Sequence, residues 1–258
     1  MSSRLHDLAV EHLGTRIVSG ELAPGAVLRT DALEDDLRVS RSVVREAVRV
    51  AQSLGLVETV KRVGIRVLPM RSWNLFDPSV IRWRLESAQN GAQLRSLTEL
   101  RTAIEPVAAE LAARFAPPAL AGELMGIAAS MRTAGRAGDA DAFLELDVDF
   151  HRMVLRASGN EMFAALGDAV GEVLRGRTSS GLMPTHPNED AMQWHVDVAD
   201  AILAVVPTPP ARRCSACSGA PPTTSSARGA TCRARTRPRH EGGRAIRFQI
   251  IFNRCHTD

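Results

Sequence analysis

The hydrophobic positions of this chain change period along its length, and the changes mark its parts. From Ser40 to Ser53 the period is helical. Val44, Ala47 and Ala51 share one side, a face that can pack inward. Arg41, Arg45 and Arg49 fall at i, i+4 and i+8. With Ser42 they cover an arc of roughly 100° beside that face. Ser40 stands where it can cap the helix by accepting backbone N–H bonds. Upstream, Thr30 to Leu37 reads as a short helix with Thr30 as its N-cap, and only Arg38-Val39 separates the two. So tight a junction predicts a helix-turn-helix. Downstream, Leu54-Gly55-Leu56-Val57 ends the helix and the period shortens to two. Glu58-Thr59-Val60 and Ile65-Arg66-Val67-Leu68 read as strands joined by Lys61-Arg62-Val63-Gly64, a hairpin with two cations at its tip.

After a bridge at 71–78 the pattern is helical nearly throughout, from about 79 to 204. Leu97, Leu100, Ile104, Ala108 and Leu111 mark one amphipathic helix. Pro106 is expected to kink it, since proline removes one bond and crowds the preceding turn. Pro117-Pro118 ends it, and further helices are expected near 119–136, 140–157, 160–177 and 188–204. The fold class is therefore mainly α. Residues 1–70 form a winged helix-turn-helix, and 79–204 form an all-α bundle of about six helices. No apolar run approaches the roughly 20 residues that span a membrane, and no signal-peptide stretch opens the chain. The expected location is the cytoplasm.

Charge sharpens this picture. The formal net charge of +3 hides a split. From Val205 onward ten arginines face only Glu241 and Asp258, a local +8, so the rest carries −5. Residues 1–70 hold ten basic and nine acidic groups. Any affinity for nucleic acid must then come from where cations sit rather than from bulk charge. Arginine suits such a face, because its planar fork gives two parallel bonds to phosphate oxygens or to a guanine edge. The same spacing also suits an ordinary solvated helix with scattered arginines.

Residues 8–69 resemble the winged-helix domain of the GntR family of bacterial transcription regulators. The resemblance is carried by Arg16-Ile17-Val18-Ser19-Gly20-Glu21-Leu22-Ala23-Pro24-Gly25, by Val39-Ser40-Arg41-Ser42-Val43-Val44-Arg45-Glu46-Ala47-Val48, and by Leu54-Gly55-Leu56-Val57. It implies that Ser40, Arg41, Ser42 and Arg45 meet bases and phosphates and that Gly64 enters the minor groove; Arg49, in the i, i+4, i+8 file, and Lys61 and Arg62, at the hairpin tip, are expected from their placement to add to the grip. One departure stands out: Asp31 occupies a place near the start of the second helix where some members carry a DNA-contacting arginine. The bundle is similar to the FCD effector domain of the FadR-like branch. The matching pieces are Arg101-x-x-x-Glu105-Pro106, Asp147-Val148-Asp149-Phe150-His151 and Ala157-Ser158-Gly159-Asn160. Trp73-Asn74-Leu75-Phe76-Asp77-Pro78 and Trp83-Arg84-Leu85 look like members that sense sugar acids such as galactonate.

Asp147 and His151 lie one helical turn apart on a shared face, and His195 on a later helix can approach from across the bundle. Such a set suits a divalent metal such as zinc or nickel. The resemblance implies that ligand set, an Asp, a His four residues on and two later histidines; His195 fits the first of these, and the second would lie about 22 residues later, where Cys217 stands. The bland alternative is a surface pair plus a satisfied core histidine. Arg101, in an apolar interior, needs a counter-ion. That is either Glu105 on the same helix or the carboxylate of an effector. Asn160 either adds a polar contact to that effector or caps a helix.

After Ala204 the character changes. The stretch 205–258 is rich in Pro, Arg, Ser and Thr and holds all four cysteines. Apolar periodicity returns only at Ile246-Arg247-Phe248-Gln249-Ile250-Ile251-Phe252. The family places a closing helix here, so a shifted reading frame near residue 205 is one explanation; a basic tail that grips nucleic acid is the other. Loss of that helix would leave the bundle poorly stable. The expected protein is a homodimeric DNA-binding regulator, a repressor, acting on a palindromic operator under a small carboxylate. Its rival from another class is a metal-dependent hydrolase using Asp147, His151 and His195 with an open coordination position.

Overall fold

The computed structural model describes residues 2–181 and 187–205. The expected tail at 205–258, with Cys217 and the 246–252 stretch, therefore lies almost wholly outside the described residues. The amino-terminal head comprises α1 (Ser2–Val18), β1 (Val27–Leu28), α2 (Thr30–Leu37), α3 (Arg41–Ser53), β2 (Val57–Val60) and β3 (Gly64–Val67). The strands form one antiparallel sheet in the order β1-β3-β2. In its hairpin Glu58 faces Arg66 and Thr59 faces Ile65. The expected helix-turn-helix and hairpin are present. Strand β1 has no counterpart in the sequence pattern, because two residues are too short to show a period.

Val44, Ala47, Val48 and Ala51 bury the inner face of α3. Val44, Val48 and Ala51 join Leu13 and Ile17 of α1, Leu33 of α2 and Ile65 and Val67 of the sheet in one core. Two cap expectations need correction. Arg29, not Thr30, holds the N-cap position of α2. Ser40 is the N-cap residue of α3 but makes no side-chain cap bond; its hydroxyl pairs with that of Ser42 at 2.9 Å.

A 3₁₀ turn (Met70–Ser72) leads to α4 (Pro78–Glu86), which opens with Pro78 at its first position and is capped by Asp77 accepting from the Ser79 amide. Then come α5 (Asn90–Phe115), α6 (Pro118–Ala137), α7 (Ala140–Ala157), α8 (Glu161–Ala164), α9 (Gly167–Ser179) and α10 (Glu189–Val205). Helix α5 runs on as one element through Pro106. The expected 160–177 helix is two, α8 and α9, parted at Ala165-Leu166. Alanines of α5, Leu124 and Met131 of α6, Val148, Phe150 and Val154 of α7, and Val198 and Ile202 of α10 fill the bundle interior.

Helix α4 belongs to both halves. Its Val80 and Trp83 sit in the core of the head, while Ile81 and Leu85 pack with Leu94 and Leu97 of α5 and Val173 of α9. Trp83 donates its indole N–H to Glu11 of α1 at 2.7 Å, and Arg82 reaches the other Glu11 oxygen at 2.8 Å. Its ring lies over Gly14, where any Cβ would collide with it. No described helix is long and apolar enough to cross a membrane.

Candidate functional site

Two places bring the singled-out residues together. The first is the outer face of the head. Ser40, Arg41, Ser42, Arg45 and Arg49 are all exposed on or beside α3, opposite its buried face. Lys61 and Arg62 are exposed at the hairpin tip, and Gln52 ties α3 to that hairpin by donating to the Thr59 hydroxyl at 3.1 Å. A cleft of about 300 Å³ runs between them, lined by Arg41, Arg45, Arg49 and Thr59. The arginines are not equivalent. Arg49 is held by Glu46 at 2.6 Å, while Arg41 is only loosely approached by Glu34 at 3.9 Å. Gly64 has a structural reason of its own: at φ +129°, a Cβ would meet the Leu28 carbonyl of β1. Asp31 is engaged by Arg29 through both carboxylate oxygens, at 3.1 and 3.0 Å. Those bonds, with one from the Ala32 amide, hold its carboxyl below the usual range. The acid that would repel a phosphate there is thus answered by its own neighbour.

The second place is inside the bundle. Asp147 and His151 of α7 and His195 of α10 are buried, with one ligand atom from each lying within 4.8 Å of the others. His195 Nε2 is 3.1 Å and His151 Nε2 is 3.3 Å from the same Asp147 oxygen. Helix α5 adds Arg101 and Glu105, also buried. Arg101 Nε donates to Glu105 at 2.8 Å, and its Nη2 lies 3.2 Å from His151 Nε2. Glu105 Oε2 lies 3.2 Å from His151 Nδ1. Phe150 sets its ring edge-on to both imidazoles. Burial alone would push the Asp147 carboxyl up, but hydrogen bonds and charge from His151 and His195 outweigh it and hold it far below the usual range. Burial likewise lowers His151. The charge of Glu105 and hydrogen bonds to Asp147 and Glu105 raise it, Arg101 works against them, and the net shift is upward.

This donor set fits a divalent metal. His195 places Nδ1 2.8 Å from the Ala191 carbonyl, which can only accept, so Nδ1 carries the proton there. In the neutral ring, Nε2 then faces the Asp147 carboxylate as one acceptor facing another, an arrangement that a shared cation relieves. Ligand atoms bound tetrahedrally at about 2.0–2.2 Å stand roughly 3.3–3.6 Å apart, near the 3.1 and 3.3 Å that separate the Asp147 oxygen from the two imidazole nitrogens. The backbone bond at Nδ1 is the usual outer support of a metal-ligating histidine. Arg101 reaches toward the same His151 Nε2, so an ion must contend with the guanidinium for that atom.

In the sequence, Glu105 stands out only as a partner for Arg101. Its contact with His151 crosses from α5 to α7, and spacing within one helix carries no signal of it. Asn160 is not brought to this cluster. Its carboxamide oxygen caps α8, accepting from the Met162 amide at 2.9 Å and the Phe163 amide at 3.4 Å.

Residues 5–67 match the family described as bacterial regulatory proteins, gntR family, and residues 96–207 match the FCD domain. A protein of Escherichia coli (strain K12) named the galactonate operon transcriptional repressor is 29% identical over 198 residues, covering 76% of this chain and 86% of that protein. A probable D-xylose utilization operon transcriptional repressor of Paenarthrobacter nicotinovorans is 29% identical over 207 residues, covering 79% of each. A solved structure from work on Lar, which controls the agr system of Listeria monocytogenes, superposes with a TM-score of 0.51. It covers 99% of this chain and 93% of that one at 13% identity, a likeness of fold. The family and these named relatives are regulators of transcription, and the hydrolase reading finds no support among them.

Proposed function

This chain belongs to the GntR family of bacterial regulatory proteins and carries an FCD domain, and from that premise we propose how it works as a DNA-binding transcription regulator. It is a repressor that grips operator DNA with the outer face of α3 and the hairpin, and it lets go when a small carboxylate, a sugar acid, binds inside the bundle. The observation that carries this reading is the pairing of an exposed arginine face on the head with a buried cluster in the bundle that brings Arg101 and Glu105 beside Asp147, His151 and His195. Arg41 and Arg45 read base edges in the major groove, where the guanidinium fork matches guanine. Ser40, Ser42, Arg49, Lys61 and Arg62 position the protein on phosphates, and Gly64 lets the hairpin tip approach the minor groove. Two copies act as a homodimer on a palindrome, in the cytoplasm where the DNA is.

In the bundle, Asp147, His151 and His195 would hold a divalent ion such as zinc or nickel, which when bound would supply a Lewis-acidic position for an effector oxygen. Arg101 supplies the second anchor, and Glu105 keeps the guanidinium aimed and its charge balanced. With neutral imidazoles, a divalent ion, one guanidinium and two carboxylates leave a net +1, complementary to a monoanionic acid. Release from DNA follows only if the acid binds the DNA-incompetent state more tightly than the competent one. Asn160 serves the effector indirectly, by fixing the turn between α7 and α8.

A thermal-shift screen of aldonic acids and other small carboxylates, with and without Zn²⁺ or Ni²⁺, tests the bundle half of this reading. The expected result is an upward shift with an aldonic acid that is larger with metal and is lost in Arg101→Ala. Shifts that never depend on metal or on Arg101 would contradict it.

A further inference from the structure

The head's cations divide into those already answered by acids and those that are not. Arg16 pairs with Glu21 and Asp36, Arg29 with Asp31, Arg49 with Glu46, and Arg66 with Glu58. Arg41 is loosely approached by Glu34. Among the described residues, Arg4, Arg38, Arg45, Lys61 and Arg62 have no such partner and are exposed. Arg4 lies in the first turns of α1, Arg45 on the reading face of α3, and Lys61 and Arg62 on the hairpin. Arg38 stands two residues before Ser40, in the turn that joins α2 to α3.

Its backbone is unusual. Arg38 has φ 52° and ψ 43°, the left-handed region, and closes α2 with its amide on the Glu34 carbonyl. Glycine is the residue that takes this conformation without steric cost, and asparagine the usual second choice. The only other described non-glycine residue at positive φ is Arg62, at φ 64°, in the hairpin turn. Both strained residues are thus arginines, and both stand in the two turns that flank the α3 face. A side chain kept where its β-carbon is disfavoured points to a use for the side chain itself.

We propose that Arg38 is a further operator-binding residue, one that takes a backbone phosphate beside the groove entered by α3. The proposal rests on the reading of α3 as the DNA-binding face. It also bears on Asp31. That acid stands at the start of α2 with its charge answered by Arg29, so helix α2 offers DNA a cation at its far end instead. A phosphate contact carries no sequence information, so Arg38 sets affinity and leaves base preference unchanged.

The test uses the full chain and a duplex that the wild-type protein enriches from a random-sequence pool, with variants Arg38→Gly, Arg38→Lys and Arg45→Ala. Arg38→Gly is expected to melt at a higher temperature, because strain is relieved, and yet to bind the duplex roughly tenfold more weakly, as removal of a charge-assisted bond predicts. The slope of log affinity against log salt should become shallower by about 0.9 for each phosphate that the variant no longer neutralises. Arg38→Lys should recover most of the affinity, and Arg45→Ala should change which sequences are preferred. Opposite signs for stability and binding separate a DNA-binding role from a merely structural one. An Arg38→Gly variant with unchanged affinity and salt slope, beside an Arg45→Ala that binds poorly, overturns the proposal and leaves the regulator reading standing. A wild-type chain that enriches no duplex overturns both.

Discussion

At the scale of single residues, the bundle's chemistry rests on Arg101 and Glu105, an ion pair buried on one helix. Removing one member strands the other in low dielectric, which costs about 3–5 kcal/mol, while replacing both by apolar residues is often nearly neutral. Glu105→Gln should therefore lower the unfolding free energy by roughly that amount. Arg101→Leu with Glu105→Leu should restore most of it and abolish any response to a carboxylate. Urea unfolding of the three proteins checks this, and a double variant no more stable than the single one would contradict the pairing. The i to i+4 spacing makes Arg101 and Glu105 legible as partners in the sequence, and the same spacing makes Asp147 and His151 a pair. His195 is legible as a residue on a later helix. What spacing does not show is that Glu105 also faces His151, or that a backbone carbonyl fixes the proton on His195. Those contacts run between helices, or from a side chain to the backbone, and are set by how the helices dock.

At the scale of elements, α4 decides how the head is joined to the bundle. Residues 71–78 read as a bridge, and the tight packing of Trp83 over Gly14 is not legible there, because it depends on a glycine some seventy positions earlier. The helix itself is cued by Asp77-Pro78, an acceptor followed by a residue that needs no amide bond in the first turn. A Gly14→Ala substitution places a methyl under the indole ring. Overpacking of this kind costs about 1–3 kcal/mol. The expected outcome is a lower melting temperature of the head, a red-shifted tryptophan emission as Trp83 is loosened, and a weaker link between effector and DNA binding. Unchanged emission and stability would mean that the two halves meet elsewhere. Strands β2 and β3 are visible by their alternation. Strand β1 is not, since its two residues pair only through the backbone of β3, and Gly64 is what lets them approach.

At the scale of the whole molecule, the described bundle leaves apolar side chains uncovered. Phe115 is 66% exposed, Val107 43% and Leu203, near the end of α10, 40%. The closing helix that the family places after Ala204, where helical periodicity stops and the composition changes, falls outside the described residues. Were it absent, each Å² of helix face left unburied would forfeit about 25 cal/mol, against the roughly 5–15 kcal/mol that keeps a domain folded. The chain is therefore expected to melt below about 50 °C, at the low end for such domains, and cooperative calorimetric unfolding well above that temperature would contradict the expectation. Sequencing the gene through codon 205 tests the shifted-frame explanation; an intact frame ends it.

The central claim is that the exposed face of α3 is the part that reads DNA. It is tested most directly by the affinity of Arg45→Ala for a duplex enriched by the wild-type chain, measured by fluorescence anisotropy beside circular dichroism of both proteins. Each bidentate arginine–base pair is worth about 1–3 kcal/mol. The account predicts binding weaker by at least roughly tenfold, an unchanged helical spectrum, and relaxed preference at the base that Arg45 reads. An Arg45→Ala protein that binds the same duplex as tightly and as selectively as the wild type would contradict it.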